Sequence, residues 1–393
     1  MEKNKIEILQ RLEAGEISAD EALAMLGQIK DEPAPTPEPQ QGHYNHMPRN
    51  TFHSHEDYEF HHAGSWVDGI VGWASELVED ITGGIKDMEV TVNIPDIIKG
   101  SYSHNKNTAT YVSEPIRQGL AHLELYGKND KIEIYGYDGD CVQISCAYNA
   151  RRPGEYIQFH DNNGNISLTF DEKLIRSARV VCHVPRVHVG QIFAATKNGT
   201  ILIANTGADE VQLETKSETI FLENISSKTL VVKNRNGRIK ATGIIGGEVL
   251  LETTNAEIFA EDINVTGLNL KTSNASVKTA NINAVHMCFS TTNAKLKLEN
   301  LFPIDDFSFW ETERTLEACT TNSNVKLFLP RDIGLDVEAN TTGGKVTCDL
   351  PLYYTEHAVK ARLRGESVNY ASAARRLKAL VNTTNASIKI RGK

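Results

Sequence analysis

The chain has 393 residues, 23% of them charged, and a net charge of −10 at neutral pH. No basic cluster in the sequence is large enough to track a phosphate backbone, which excludes nucleic acid from the expected partners. Length alone allows two or three domains, but an internal repeat predicts one long β domain with small additions.

Residues 4–29, within a first unit at 1–30, read as a helical hairpin. Ile8, Leu9 and Leu12 mark the first helix, Gly15 stops it, and Ser18 with Glu21 forms a capping box for the second. About 26 residues bury too little for an independent core, so the hairpin is expected to dock on a partner or on a second copy of the chain. Residues 31–62 read as a Pro/His-rich disordered linker. Pro33, Pro35, Pro37 and Pro39 keep its start extended. His43, His46, His53, His55, His61 and His62 match no fixed ligand spacing, so no metal is assigned to them.

Residues 63–87 resume a helical period. Trp66, Ile70, Trp73, Leu77, Ile81 and Ile85 form one apolar stripe over 65–86, opposite Asp68, Glu76, Glu79 and Asp80. The stripe has three readings: a cap on the open end of the β domain, a partner or self-association helix, and a peripheral membrane contact. The acidic polar face argues against the last.

Residues 88–393 read as a parallel β-solenoid of about 19-residue coils: irregular over 88–190, regular over 191–301 and interrupted over 302–393. In the regular part, Asn198, Ser217, Asn236, Asn255, Asn274 and Asn293 share one phase. A second polar series, Asn205, Asn224, Gly243, Asp262, Asn281 and Asn300, follows seven residues later. Both use residue types that tolerate left-handed or turn conformations, and predict two corners per coil. Between corners the apolar residues alternate with period two and keep phase from coil to coil, as Ile201, Ile220, Ile239 and Ile258 do. Alternation within a run and identity between runs make the chain wind, like side chain over like. One coil buries too few apolar side chains to offset the ordering of its backbone, so the coils are expected to fold as an array.

The gaps Asn129 to Asn163 and Asn163 to Asn198 call for extra strands or long loops. Ten extra residues between Asn293 and Asn322 carry Phe307, Phe309 and Trp310 beside Asp305 and Asp306, an excursion read equally as a binding loop or a lateral cover. A basic insertion at 353–376 holds Lys360, Arg362, Arg364, Arg375 and Arg376, too scattered for a nucleic-acid patch. Ala379 to Ile390 form the last coil, with Arg391 and Lys393 at the edge, where charge discourages open-ended stacking. Thr196, Thr215, Thr253, Thr272, Thr291, Thr320, Thr341 and Thr383 share one phase and are expected to stack as a ladder.

Of the chemistry motifs, none for a nucleophile elbow, a zinc protease helix, a P-loop or a dinucleotide site is present, and no catalytic, cofactor or metal residue is assigned. Asp305, Asp306 and Glu311 are the acidic group that a polysaccharide-active enzyme would use. The six cysteines include no C-x-x-C pair and read as core fillers in a reducing compartment. The N-terminus has no apolar signal core, and no apolar run is long enough to span a bilayer. The expected location is cytoplasmic, near the inner membrane face.

The Thr-Thr-Asn-Ala segments at 253–258, 291–296 and 383–388 resemble the bacterial "putative adhesin" family of β-strand repeats, a domain of unknown function, over about residues 120–393. The stretch Leu12–Ala22 resembles the SHOCT-like helical domain often fused to it. The resemblance implies a β-solenoid, no known catalysis and a link to envelope stress. The functional expectation is a non-catalytic scaffold acting through 4–29 and 65–86, with Trp66, Ile70, Trp73, Leu77, Phe307, Phe309 and Trp310 as interaction candidates. A surface adhesin or carbohydrate-binding protein is the alternative, and a polysaccharide-active enzyme the third reading.

Overall fold

The computed structural model describes residues 106–116, 120–152, 154–171, 173–187, 189–302, 313–354 and 360–393. All lie in the unit Ala63–Lys393. The predicted hairpin, linker and apolar stripe fall outside the described residues, as does the 303–312 excursion.

The described residues are mainly strand. In chain order these are β1 (Lys106–Val112), β2 (Ala121–Tyr126), β3 (Lys131–Tyr137), β4 (Gln143–Ala150), β5 (Ile157–Asn162), β6 (Asn165–Phe170), β7 (Ile175–Pro185) and β8 (Val189–Thr196). The long strands β9 (Ile201–Thr215), β10 (Ile220–Asn234), β11 (Ile239–Glu252), β12 (Ile258–Lys271) and β13 (Val277–Ser290) follow, then β14 (Leu296–Leu298), β15 (Arg314–Cys319) and β16 (Val325–Leu329). The chain closes with β17 (Gly334–Thr341), β18 (Val346–Cys348), β19 (Leu352–Tyr354), β20 (Arg362–Ser367), β21 (Arg376–Thr383) and β22 (Ile388–Gly392).

The predicted winding is present. From β9 to β13 every coil pairs in parallel with the next at an offset of 19 residues: Ile201 faces Ile220, Ile220 faces Ile239, Ile239 faces Ile258 and Ile258 faces Val277. These columns are the core; Ile201, Ile220, Ile239 and Ile258 are all 0% exposed. Burial of the same side chain at the same height in each layer lets ladder hydrogen bonds and apolar packing reinforce each other.

The two corners work differently. The second is a backbone device: Asn205, Asn224, Gly243, Asp262, Asn281 and Asn300 all have φ between 47° and 69°. That left-handed bend turns the chain while the strand hydrogen bonding continues on both sides of it. The first corner has no left-handed residue at its asparagines. There the side chains do the work. Asn255 donates its amide to the Asn236 side-chain carbonyl at 2.7 Å, Asn274 to Asn255 at 2.7 Å, Asn293 to Asn274 at 2.8 Å, Asn322 to Asn293 at 2.8 Å and Asn385 to Asn322 at 2.7 Å.

The threonines stack in register as expected, Thr196 against Thr215 and Thr341 against Thr383, but their hydroxyls bond elsewhere. Each buried hydroxyl donates to the backbone carbonyl of the residue after the corner asparagine one layer back: Thr215 to Gly199 (2.9 Å), Thr253 to Gly237 (3.1 Å), Thr272 to Ala256 (3.1 Å) and Thr291 to Ala275 (3.0 Å). The glycine at 237 has a separate steric cause. A Cβ on Gly237 would sit 2.0 Å from the Glu218 carbonyl oxygen. Where Asn234 replaces threonine, its amide reaches the Glu218 carbonyl at 2.7 Å and accepts from the Gly237 N–H at 3.0 Å. Thr253→Val keeps the shape and removes the donor, leaving a buried carbonyl short of a partner. The expected loss is about 1 kcal/mol, measured as a lower denaturant midpoint at unchanged slope; an unmoved midpoint would show the hydroxyl to be inert.

The ends depart from chain order. On the face that follows the first corner the layers run β7–β3–β9–β10–β11–β12–β13–β14–β16–β22–β18. The approach face runs β6–β2–β8–β9 at one end and β13–β15–β21–β17 at the other. Thus the first coil, β2–β3, lies between β6–β7 and β8–β9. The last coil, β21–β22, lies between β15–β16 and β17–β18. The expectation that Arg391 and Lys393 mark the edge is therefore overturned: β22 pairs on both sides, with Leu327 and Cys348 flanking Ile390.

Antiparallel strands close both ends. β4 pairs with β7 and β1 with β4, while β5 pairs with β6; at the far end β20 pairs with β17 and β19 with β20. β4 and β5 fill the gap from Asn129 to Asn163, and β6, β7 and β8 the next; Asn163, at φ 52°, turns the antiparallel hairpin β5–β6 and is not a coil corner. Reversed strands cannot continue a parallel stack, which blunts end-to-end growth. The cysteines follow the core-filler expectation in part: all six are free, Cys146 and Cys182 are buried, and Cys141, Cys288, Cys319 and Cys348 are half-exposed.

Candidate functional site

The outward side chains of the approach face form columns. One column reads Glu248, Gly267, His286, Thr315, Lys378 and Asp336 through six successive layers. Gly267 supplies no side chain, and the Glu248 carboxylate lies across the space; a Cβ there would meet its oxygen at 1.9 Å. The gap deepens into an open groove of about 630 Å³, lined among others by His286, Cys288, Glu317, Lys378 and Arg364.

Groups of both signs meet along this groove. His286 Nδ1 lies 3.0 Å from the Thr315 hydroxyl. At the rim, Lys378 bonds Glu313 at 2.8 Å, and Tyr370 donates to the same carboxylate at 2.6 Å. These two bonds hold the Glu313 carboxyl below the usual range. Burial, and then the Glu317 charge, pushes the Cys288 and Cys319 thiols up. Neither is activated as a nucleophile, since reactivity needs the thiolate. The arrangement suits recognition of a polar, mixed-charge surface.

Two buried charged nodes sit away from the groove. Arg314 is 1% exposed; it stacks over the Phe302 ring at 4.7 Å and donates to Asn283 Oδ1 at 3.2 Å. Arg375 donates to the Phe302 carbonyl at 2.8 Å and to Asp332 at 2.6 Å. Phe302 itself has φ 63°, an outlier for a bulky residue, held between these arginines where the excursion leaves the coil. The second node is Glu133, 0% exposed, with Lys131 at 2.8 Å and Arg179 at 2.6 Å.

Of the residues singled out in the sequence, Trp66, Ile70, Trp73, Leu77, Phe307, Phe309 and Trp310 lie outside the described residues, with Asp305, Asp306 and Glu311. The basic insertion at 353–376 is not a cluster: Arg375 is buried against Phe302, and Arg362 pairs with Glu338 at 3.6 Å. His183 is half-buried between Tyr135 and Tyr137, with ring centroids 5.8 and 6.1 Å away. Burial lowers its pKa. Arg186 faces solvent, paired with Asp138 at 3.0 Å. The groove was missed; the glycine at 267, in an outward column of large side chains, was the readable signal.

Residues 85–273 match the sequence model of the Toastrack DUF4097 family. No curated protein matches the chain. Three solved structures align at 11% identity each. A "putative cell adhesion protein" from Clostridium sporogenes ATCC 15579 covers 74% of this chain and 100% of its own, with a TM-score of 0.19. A "putative lipid binding protein" from Parabacteroides distasonis ATCC 8503 covers 73% and 96%, with a TM-score of 0.32. A "putative adhesin" from Bacteroides fragilis NCTC 9343 covers 74% and 98%, with a TM-score of 0.24.

Proposed function

We propose that the chain is a non-catalytic cytoplasmic scaffold, in which the solenoid is a rigid platform and the N-terminal segments recruit partners or further copies. The observation that carries this reading is the double lock between coils. Ladder hydrogen bonds and the Asn and Thr side-chain bonds join the same pairs of layers, and antiparallel strands close both ends. A surface so fixed holds bound groups at constant spacing and does not itself polymerise. The eleven layers on the face after the first corner give it a length of roughly 50 Å at a strand spacing of about 4.8 Å.

Assembly is assigned to 4–29 and 65–86. Light scattering on the full chain and on a chain lacking residues 1–62 tests it. The expected result is a fall in molecular mass per particle with the β-type circular dichroism intact; an unchanged mass refutes an assembly role for 4–29, and a chain lacking residues 1–87 tests 65–86 in the same way.

A further inference from the structure

On the face that follows the first corner, charges of both signs mix near the middle: Glu223, Glu257 and Glu261 stand with Arg238 and Lys240, and Lys278 is paired with Glu257 at 2.7 Å. Beyond that point the outward side chains turn basic. Lys278, Lys297, Lys326 and Lys389 occupy one column in four consecutive layers, each facing the next in register. Lys295 and Lys345 stand in the column beside them, and Arg391 follows Phe328 in the column on the other side. Lys393 reaches over the Phe328 ring at 5.7 Å.

From Lys295 onward this end holds Lys295, Lys297, Lys326, Lys345, Lys389, Arg391 and Lys393, against Glu299 and Asp349 at its rims. Glu299 pairs with Lys297 at 2.9 Å. Lys295, Lys345, Lys389, Arg391 and Lys393 are exposed. The concentration stands out on a chain of net charge −10. Like charges opposite one another on a sheet cost stability, so a column of lysines is not explained by folding.

The intercalated last coil builds the patch. Stacked in chain order, β18 would follow β16 and Thr347 would face Lys326. Instead β22 takes that place and sets Lys389 against Lys326.

The chemistry of the patch selects its ligand. It lies on one sheet face. Six of its seven cations are lysines, which act as compact point charges; forked recognition of individual phosphates or carboxylates favours arginine. Protein interfaces are depleted in lysine and centred on apolar anchors; among the described residues of β14, β16, β22 and β18 the one outward aromatic ring, Phe328, is half-buried beneath Lys393. A diffuse negative potential over a plane is what such a patch fits, and an anionic bilayer surface provides it. We propose that this face of β14, β16, β22 and β18 docks electrostatically on an anionic lipid surface, without insertion. The inference goes beyond the scaffold reading and is measured independently of oligomeric mass.

The test is co-sedimentation of the full chain with phosphatidylcholine vesicles containing or lacking one-third phosphatidylglycerol. Binding is expected only with phosphatidylglycerol and should fade as salt approaches the concentration at which screening shortens to about 10 Å or less. Lys326→Gln with Lys389→Gln should lower the partition coefficient roughly 25-fold, at about fivefold per lysine. Lys233→Gln with Lys271→Gln, on the approach face, should leave it unchanged. Equal binding by both double variants, binding without phosphatidylglycerol, or tighter binding to a single-stranded oligonucleotide than to the vesicles would each overturn the proposal.

Discussion

A chain ending at Arg375 should lose the whole far end of the solenoid, not one coil. In chain order, residues 376–393 are the last coil, and their removal would leave 334–348 as a new end. In the structure they are an inner layer. Leu377, Val381, Ile388 and Ile390 are at most 1% exposed, packed between the coil of β15–β16 and that of β17–β18. Deleting them removes roughly 6–12 kcal/mol of apolar burial, comparable with the entire stability of an ordinary domain. It also strips Leu316, Val325 and Leu327 on one side and Leu335 and Val337 on the other of their neighbours. Because coils interact only with adjacent coils, the loss should stay local. Hydrogen exchange is expected to show 314–367 unprotected while 201–290 keeps its protection. Persistent protection of 334–341 in the truncated chain would contradict the intercalated order.

The same feature marks the limit of what the sequence discloses. Winding is legible from 192 to 301 because each coil repeats the same apolar, polar and small positions at one step, and only stacking makes that repetition useful. Coil order at the ends is not legible. Val325, Val346 and Ile388 fit the same column equally well, so no local pattern states which lies between the others; ladder hydrogen bonds and the antiparallel return through β20 decide it. β4 and β20 also escape a reading based on corners, since a reversed strand carries no corner residue in phase, and β5–β6 imitates one because its hairpin turn, Asn163-Gly164, uses the same left-handed residue types. The lysine column suffers most from this. Lys326 and Lys389 are 63 positions apart in sequence, whereas the arginines of 353–376, close in sequence, disperse into separate contacts. The Thr hydroxyls show the opposite case: their phase was plain, but their acceptor was not, because a carbonyl one layer back leaves no mark in composition.

Glu133 is another position that the alternation disguises. In Lys131–Tyr137 it falls on the outward phase, where a charged residue is ordinarily solvated. Yet Arg179 from the neighbouring layer and Lys131 from its own strand close over it, and Tyr135 donates from 3.4 Å. The burial is unequal: the carboxylate side chain is 1% exposed, but those of Lys131 and Arg179 keep 35% and 18%. Losing the cations should therefore hurt more than losing the anion, because a stranded cation can reach water and a stranded carboxylate cannot. Lys131→Met with Arg179→Met is expected to cost about 3–5 kcal/mol. Glu133→Leu added to that pair should recover most of the loss, since an apolar side chain tolerates the burial that an unpaired charge does not. Lys131→Met alone should cost clearly less than the double variant, because Arg179 still pairs the buried carboxylate. Denaturant midpoints of the single, double and triple variants measure all three. A double variant as stable as the parent, or a triple variant no better than the double, would show that the two cations do not hold the buried carboxylate in place.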